Sequence, residues 1–317
     1  MTRENMDRRA FTKLVGLTVA TLATQPLSIA TQTLSPQISL TMDDFTWQNA
    51  VYQSATDRNK AILDVLNAHS IKAALFVIGR NVESEQGKSL LADWNKAGHL
   101  IGNHTYSHRN LNAPEMAPQA YNDDILRAEL LLQPFTGFRK FFRFPMLKEG
   151  DTVTKRDGVR DFLAQHGYRV GHVTIDTSDW VITSRLTERV TKDPGADVRP
   201  FRDFYLQHMW DRAQYYDSLG RKVLRRPVKH TILVHYNLLN GLFLNDLIQM
   251  FKTKGWQWID ANQAFTDPVF SLKPKILPAG ESILWAEAKA KGTLSASLKY
   301  PAEDGEIVAD EMKKLGL

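Results

Sequence analysis

The sequence predicts an α/β protein built around a parallel sheet, and three observations predict it. Short apolar runs alternate with helical patterns from Gln37 onward, making seven strand–helix units in order up to Ile259. No low-complexity run interrupts the alternation. The 317 residues, 43% hydrophobic and 24% charged, suffice for one large domain with a sizeable core. Alternation of this kind favours parallel pairing. Periodicity leaves open whether the sheet is an open doubly wound one or a closed barrel. In both, reactive groups gather beyond the C-terminal ends of the strands.

The elements follow in order. Ile38 to Met42 reads as a buried strand, and Thr56 or Asp57 can cap a helix from Arg58 to His69 with Ile62, Leu63, Val65 and Leu66 on one side. Ala73 to Ile78 is the next strand, and Lys88 to Ala97 a helix stopped by Gly98. A strand from Leu100 to Asn103 precedes a helix opened by Pro118 and running to Leu132. Phe141 to Phe144 is strand-like, Thr152 to His166 helical, and Tyr168 to Ile175 a strand. A long helix from about Arg202 to Leu219 leads to an apolar strand, Thr231 to His235. Asn240 to Lys254 is helical, and Trp256 to Ile259 is the last strand. Residues 268–317 carry Pro268, Pro274 and Pro278, a helix near Ser282–Lys291 and a charged end, which read as a tail packed on the main domain.

Composition narrows the classes of function. Residues 1–30 hold Arg3, Arg8, Arg9 and Lys13 against Glu4 and Asp7, a net +2 of the formal +5, so residues 31–317 carry only +3. A surplus that small gives no reason to expect nucleic acid as a partner. Without cysteine the chain has no disulfide, thiolate zinc site, cysteine nucleophile or lipoprotein anchor. Asp7-Arg8-Arg9-Ala10-Phe11-Thr12-Lys13, an apolar stretch from Leu14 to about Ala23, and the small residues Ser28 and Ala30 make a signal peptide with cleavage after Ala30. The paired arginines resemble a twin-arginine signal, which implies the twin-arginine export machinery as a partner and a periplasmic or secreted product. The apolar stretch is too short for a stable membrane span.

Five polar groups fall where the strands stop. Thr41-Met42-Asp43-Asp44 puts two adjacent carboxylates at one strand end, where one can ligate a cation and the other handle protons. His104-Thr105-Tyr106-Ser107-His108 spaces two imidazoles four apart, on one face if the segment is a helical turn, with Tyr106 between them a candidate substrate contact. Two histidines and an aspartate would form an open facial site suited to catalytic zinc. Arg143-Phe144-Pro145-Met146 offers a guanidinium able to clamp a carboxylate. Asp176-Thr177-Ser178-Asp179-Trp180 supplies carboxylates and an aromatic wall, and Leu233-Val234-His235 presents an imidazole after an apolar strand. Taken singly, Arg143 reads as a surface charge, Asp176 as a helix cap and His235 as a structural histidine.

In their order and placement these five segments resemble the five motifs of the polysaccharide deacetylases, carbohydrate esterase family 4, over Ser39 to Ile259. The resemblance implies a distorted (β/α)7 barrel with the C-terminal tail packed on it, organised as signal 1–30, barrel 31–267 and extension 268–317. It implies Asp43 as general base positioned by Arg143, and Asp44, His104 and His108 as ligands of a divalent metal. Zinc suits the donor types, with cobalt or nickel able to take the same site. It further implies His235 as general acid oriented by Asp179, Trp180 as a wall, Leu233 as a contact for the acetyl methyl, and the Met146 N–H as an oxyanion donor. The implied reaction is removal of acetyl groups from a glycan, with N-acetyl amino sugars favoured. O-acetyl ester cleavage, a small non-sugar amide substrate, and a binding protein that has lost turnover are the alternatives. Two departures bear on this: Phe45 stands where the first motif ends in glycine, and Met146-Leu147-Lys148-Glu149 precede Gly150 in the third. The basic stretch Arg221–Lys229 reads as a solvated helix end.

Overall fold

The computed structural model describes residues 35–292 and 305–317. Residues 1–30, read above as an export signal, lie outside the described residues. The strands and helices run β1 (Gln37–Asp43), α1 (Ala55–Ala68), β2 (Ala74–Val77), α2 (Glu85–Lys96), β3 (Leu100–Asn103), α3 (Pro118–Leu132) and β4 (Phe138–Phe142). Next come β5 (Lys148–Gly150), α4 (Val153–Gln165), β6 (Arg169–Val170), α5 (Asp179–Lys192), α6 (Arg199–Leu224), β7 (Lys229–His235) and α7 (Leu238–Thr253). The chain continues through β8 (Gln257–Trp258), α8 (Ala261–Ala264), β9 (Ala279–Gly280), α9 (Ile283–Lys291) and α10 (Gly305–Lys314).

Helix starts are set by side-chain caps. Ser54 Oγ accepts the Asp57 N–H at 3.0 Å and Ser84 Oγ the Gly87 N–H at 3.0 Å. Each satisfies a backbone donor that the first turn leaves without a partner, so α1 and α2 begin three residues before the positions expected from apolar periodicity.

The main sheet is parallel, in the order β6-β4-β3-β2-β1-β7, with β8 pairing the start of β1. β1 is central and fully buried from Ile38 to Asp43. Its ladder with β7 runs from Gln37 opposite Lys229 to Asp43 opposite His235, so the last residues of the two strands face each other.

The expected strand Tyr168–Ile175 is divided. Arg169 and Val170 pair with β4, but Ile175 bridges to Ile232 of β7 at the other edge. Ile175 N–H donates to Thr231 O at 2.9 Å, and Leu233 N–H to Ile175 O at 3.0 Å. By crossing from one edge to the other, this one segment curls the sheet into a distorted barrel. Phe76 of β2 explains where it breaks. A Cβ on Gly171 would sit 2.4 Å from the Phe76 ring and one on Gly102 2.6 Å from it, so the ring fills the interior only because both positions are glycine.

The tail packs on this frame. Leu284 of α9 lies against Gly220 of α6, and α10 buries Val308 and Met312 while Gly305 meets Trp180 and Val181 of α5. An antiparallel ladder of β5 with β9, absent from the expectations, ties the tail to the segment after Arg143. Among the described residues no helix is long and apolar enough to cross a membrane.

Candidate active site

A cavity of about 410 Å³ opens at the C-terminal ends of the strands. It is lined by Asp43, Asp44, His104, His108, Met146, Trp180, Leu233 and His235, with Leu147, Asp176 and Thr177 completing the wall.

Asp43 ends β1 and is buried. Arg143, just beyond β4, donates from Nη1 to both its oxygens at 3.1 and 3.2 Å and from Nη2 to Thr41 Oγ1 at 3.2 Å. Its Nε donates to Gly171 O. The guanidinium lies 4.3 Å from the centre of the Phe76 ring, so the same residue that fills the barrel also carries the arginine. Burial lowers the Arg143 pKa, and the Asp43 charge opposes that shift. Taken singly Arg143 reads as a surface charge, but it is 1% exposed and lies on the Asp43 carboxylate.

Asp44 adopts φ 62°, which turns its side chain out of the strand alternation and toward the histidines. Asp44 Oδ1 is 3.1 Å from His108 Nε2 and 3.5 Å from His104 Nε2, and it is buried without a hydrogen-bond partner. His104 Nδ1 is 2.8 Å from Arg143 O, which fixes it as the donor and leaves Nε2 with a lone pair facing Asp44. The two imidazoles do not share a helical turn. Thr105 (φ 61°) and His108 (φ 56°) lie in the left-handed region, and Thr105 Oγ1 accepts the His108 N–H at 2.9 Å; this bend brings the ring centres to 5.0 Å. One donor atom from each of Asp44, His104 and His108 lies within 4.8 Å of the others. An orphaned buried oxygen facing two imidazole nitrogens fits a divalent cation better than it fits a hydrogen-bond network. Burial would raise the Asp44 pKa, but the facing imidazoles and the charge of His235 outweigh it and hold the carboxyl well below its usual value.

Opposite Asp43, His235 Nδ1 donates to Asp179 Oδ1 at 2.6 Å. Asp179 is fully buried, and its Oδ2 accepts from His235 N, Asn237 Nδ2 and Asn240 Nδ2 at 2.9, 3.1 and 2.9 Å. Tyr205 Oη donates to Asn240 Oδ1 at 2.6 Å, extending this support to α6. Burial lowers the His235 pKa, but the charge and hydrogen bond of Asp179 and the charges of Asp44 and Asp43 overcome it and raise the imidazole to about 10. Asn237 and Asn240 follow the fifth motif by two and five residues; the sequence showed them only as residues of a helix start.

Tyr106 is a correction. It stays out of the cavity because the bend at Thr105 turns it outward, where its ring carries the Arg127 guanidinium at 3.4 Å and its Oη accepts from Arg127 Nη2 at 2.6 Å. Phe45, bulky beside Asp43 in sequence, is fully buried against Tyr236, with ring centres 5.1 Å apart, and takes no space from the cavity. Arg221 and Arg226 are held by Asp217 and Asp267 at 2.9 and 2.6 Å.

Residues 30–171 match the family model described as polysaccharide deacetylase. Over that stretch the chain is similar to the polysaccharide deacetylases. The match contains the first three motifs; Trp180, Leu233 and His235 lie beyond it and line the same cavity, with Asp179 behind His235. A peptidoglycan-N-acetylglucosamine deacetylase of Bacillus cereus is 31% identical over 142 residues, 43% of this chain and 48% of that protein. A chitin deacetylase of Colletotrichum lindemuthianum is 26% identical over 156 residues, 46% of this chain and 60% of that one. The chain thus spans about half the length of the curated relatives it matches. Similar solved structures include a mutant of a family 4 carbohydrate esterase pseudoenzyme with restored activity (20% identity, TM-score 0.49, 73% of this chain and 68% of that one). Another is a family 4 carbohydrate esterase from Streptomyces lividans in complex with acetate (19% identity, TM-score 0.47, 72% and 95%).

Proposed function

We propose that this protein is an exported, metal-dependent hydrolase that removes acetyl groups from an N-acetylated glycan. One observation carries the reading: within a single cavity, an arginine-clamped carboxylate and an aspartate-oriented imidazole flank a cluster of three metal-type donors. Both curated relatives, by name, deacetylate amino-sugar polymers.

Asp44, His104 and His108 would hold the cation, which when bound supplies Lewis acidity toward a water and the acetyl carbonyl. Asp43, oriented by Arg143, takes the proton of the attacking water. The Met146 N–H helps stabilise the oxyanion of the tetrahedral intermediate. His235, charged through its pairing with Asp179, donates its Nε2 proton to the departing amine. Leu147, Val173 and Leu233 form a small apolar cluster, and the first and last of them line the cavity, an environment suited to the acetyl methyl. Trp180, half exposed at the rim, offers the sugar an aromatic face.

The test is acetate release by the zinc-loaded protein from N-acetylated and O-acetylated oligosaccharides. Release from the N-acetylated class, reduced about 10²–10⁴-fold in Asp43→Asn, is expected. Release from the O-acetylated class alone would make the protein an esterase, and none from either would refute a glycan deacetylase. Replacing Arg8 and Arg9 by lysine is expected to abolish export if the twin-arginine reading holds.

A further inference from the structure

The turn that supplies Met146 to the cavity is strained. Met146 (φ 55°) and Leu147 (φ 54°) are consecutive non-glycine residues in the left-handed region, each costing on the order of 1–3 kcal/mol. Such a conformation persists only where surrounding contacts enforce it. Within the turn itself two bonds help, Leu147 N–H to Phe144 O at 3.0 Å and Lys148 N–H to Pro145 O. The remaining contacts come from far along the chain. Glu281 N–H donates to Leu147 O at 3.0 Å, and Glu281 Oε1 meets Lys148 Nζ at 2.7 Å. Gly280, at φ 127°, lies so close that a Cβ there would be 1.9 Å from Leu147 O and 3.0 Å from its carbonyl carbon.

The next two residues hold the opposite side of the cavity. Ser282 Oγ donates to Thr174 O at 2.8 Å and Ile283 N–H to Val173 O at 2.9 Å. Val173 packs with Leu147 and Leu233, and Thr174 leads into the bridge that closes the barrel. Four successive residues, Gly280 to Ile283, therefore clamp both segments that shape the apolar end of the cavity. All four lie more than a hundred residues beyond the stretch that matches the family model.

We propose that the C-terminal extension is a working part of the active site. Gly280 and Glu281 are positioning residues that hold the Met146–Leu147 turn in the conformation presenting the Met146 N–H to the acyl oxygen. In this chain, the lengthened third motif and the extension form one unit: the first supplies the donor and the second fixes it. The inference deepens the deacetylase reading and rests on it for the identity of the acyl group.

Gly280→Ala is the main variant, because its new methyl group must displace Leu147 O. Glu281→Gln, which weakens the tie to Lys148, is the milder second variant should the first fail to fold. Three quantities are read on wild type and variants loaded with zinc: kcat and KM for acetate release, the calorimetric Kd for zinc, and the calorimetric Kd of free acetate. A displaced donor is expected to lower kcat of Gly280→Ala about tenfold to a hundredfold with KM changed less than about twofold. The same variant is expected to bind acetate at least about tenfold more weakly while its zinc affinity stays within about twofold, since Asp44, His104 and His108 lie outside the clamp. Glu281→Gln is expected to move kcat and acetate affinity in the same direction by about threefold. A purely structural role would move the melting temperature and leave kcat and acetate affinity at their wild-type values below it. That result in the folded variants overturns the inference. Acetate affinity decides the matter even if wild type releases no acetate from any glycan, a result that refutes the deacetylase reading instead.

Discussion

Asp179 touches no part of the cavity wall, yet it sets the charge of His235, the imidazole at the end of β7. Burial alone would raise its pKa; the His235 charge and hydrogen bonds outweigh that and keep the carboxyl below its usual value. The same pairing raises His235 to about 10. A general acid must be protonated, so activity falls as pH rises through the pKa of this group. Asp179→Asn removes the largest charge that raises it, and the alkaline limb of the kcat–pH profile is expected to move to lower pH. An unmoved limb would take the acid role from His235. The residues legible in the sequence are those whose type is rare at a strand end: Asp43, Asp44, His104, His108, Arg143 and His235. Asn237 and Asn240 were not legible, because asparagine at a helix start already has a sufficient explanation as a cap. Tyr106 misled because a four-residue histidine spacing fixes two side chains and leaves those between them free to point elsewhere.

At the scale of elements, β5 shows how the barrel wall is held. Glu149 is buried and accepts from Arg160 Nε and Nη2 at 3.0 and 2.5 Å, with His172 Nδ1 at 3.4 Å. Burial would raise its pKa, but His172 and Arg160 outweigh it and lower it to about 2. A carboxylate depressed in the folded state contributes stability above its unfolded pKa, near 4.5, and loses it as pH falls toward 2. That contribution is on the order of 3 kcal/mol. Glu149→Gln is expected to lower the melting temperature at neutral pH and to flatten its dependence on pH between about 2 and 4.5. Thermal melts across that range check both; a variant as acid-sensitive as wild type would place the acid-labile group elsewhere. Most strands of the sheet could be located from their apolar runs, including β1, β2, β3 and β7. By contrast, β6 could not be delimited, because what ends it is the Phe76 ring pressing on Gly171 from another strand. Nor did α5 stand out, since Val181, Ile182, Thr183, Thr187, Val190 and Thr191 are β-branched and weaken a helical reading. The β5–β9 ladder joins residues more than a hundred apart, and no local pattern announces it.

For the whole molecule, the donors of the metal-type cluster matter because of where they come from. Asp44 follows β1, while His104 and His108 follow β3, and β2 lies between the two strands. A cation held by all three ties segments that meet only in the folded barrel, so its binding free energy adds to folding stability. At a zinc concentration of about a hundred times Kd the gain is about 2.7 kcal/mol. For a barrel of this size that corresponds to a rise in melting temperature of roughly 5 °C, reversed by a chelator. His108→Ala removes one donor at the cavity rim without touching the buried His104–Arg143 contact, and the rise is expected to disappear while the metal-free melting temperature changes little. A rise of equal size in His108→Ala would mean that zinc stabilises the fold from another site. Loss of the rise together with loss of acetate release would join the three donors to the chemistry that Asp43 and His235 frame.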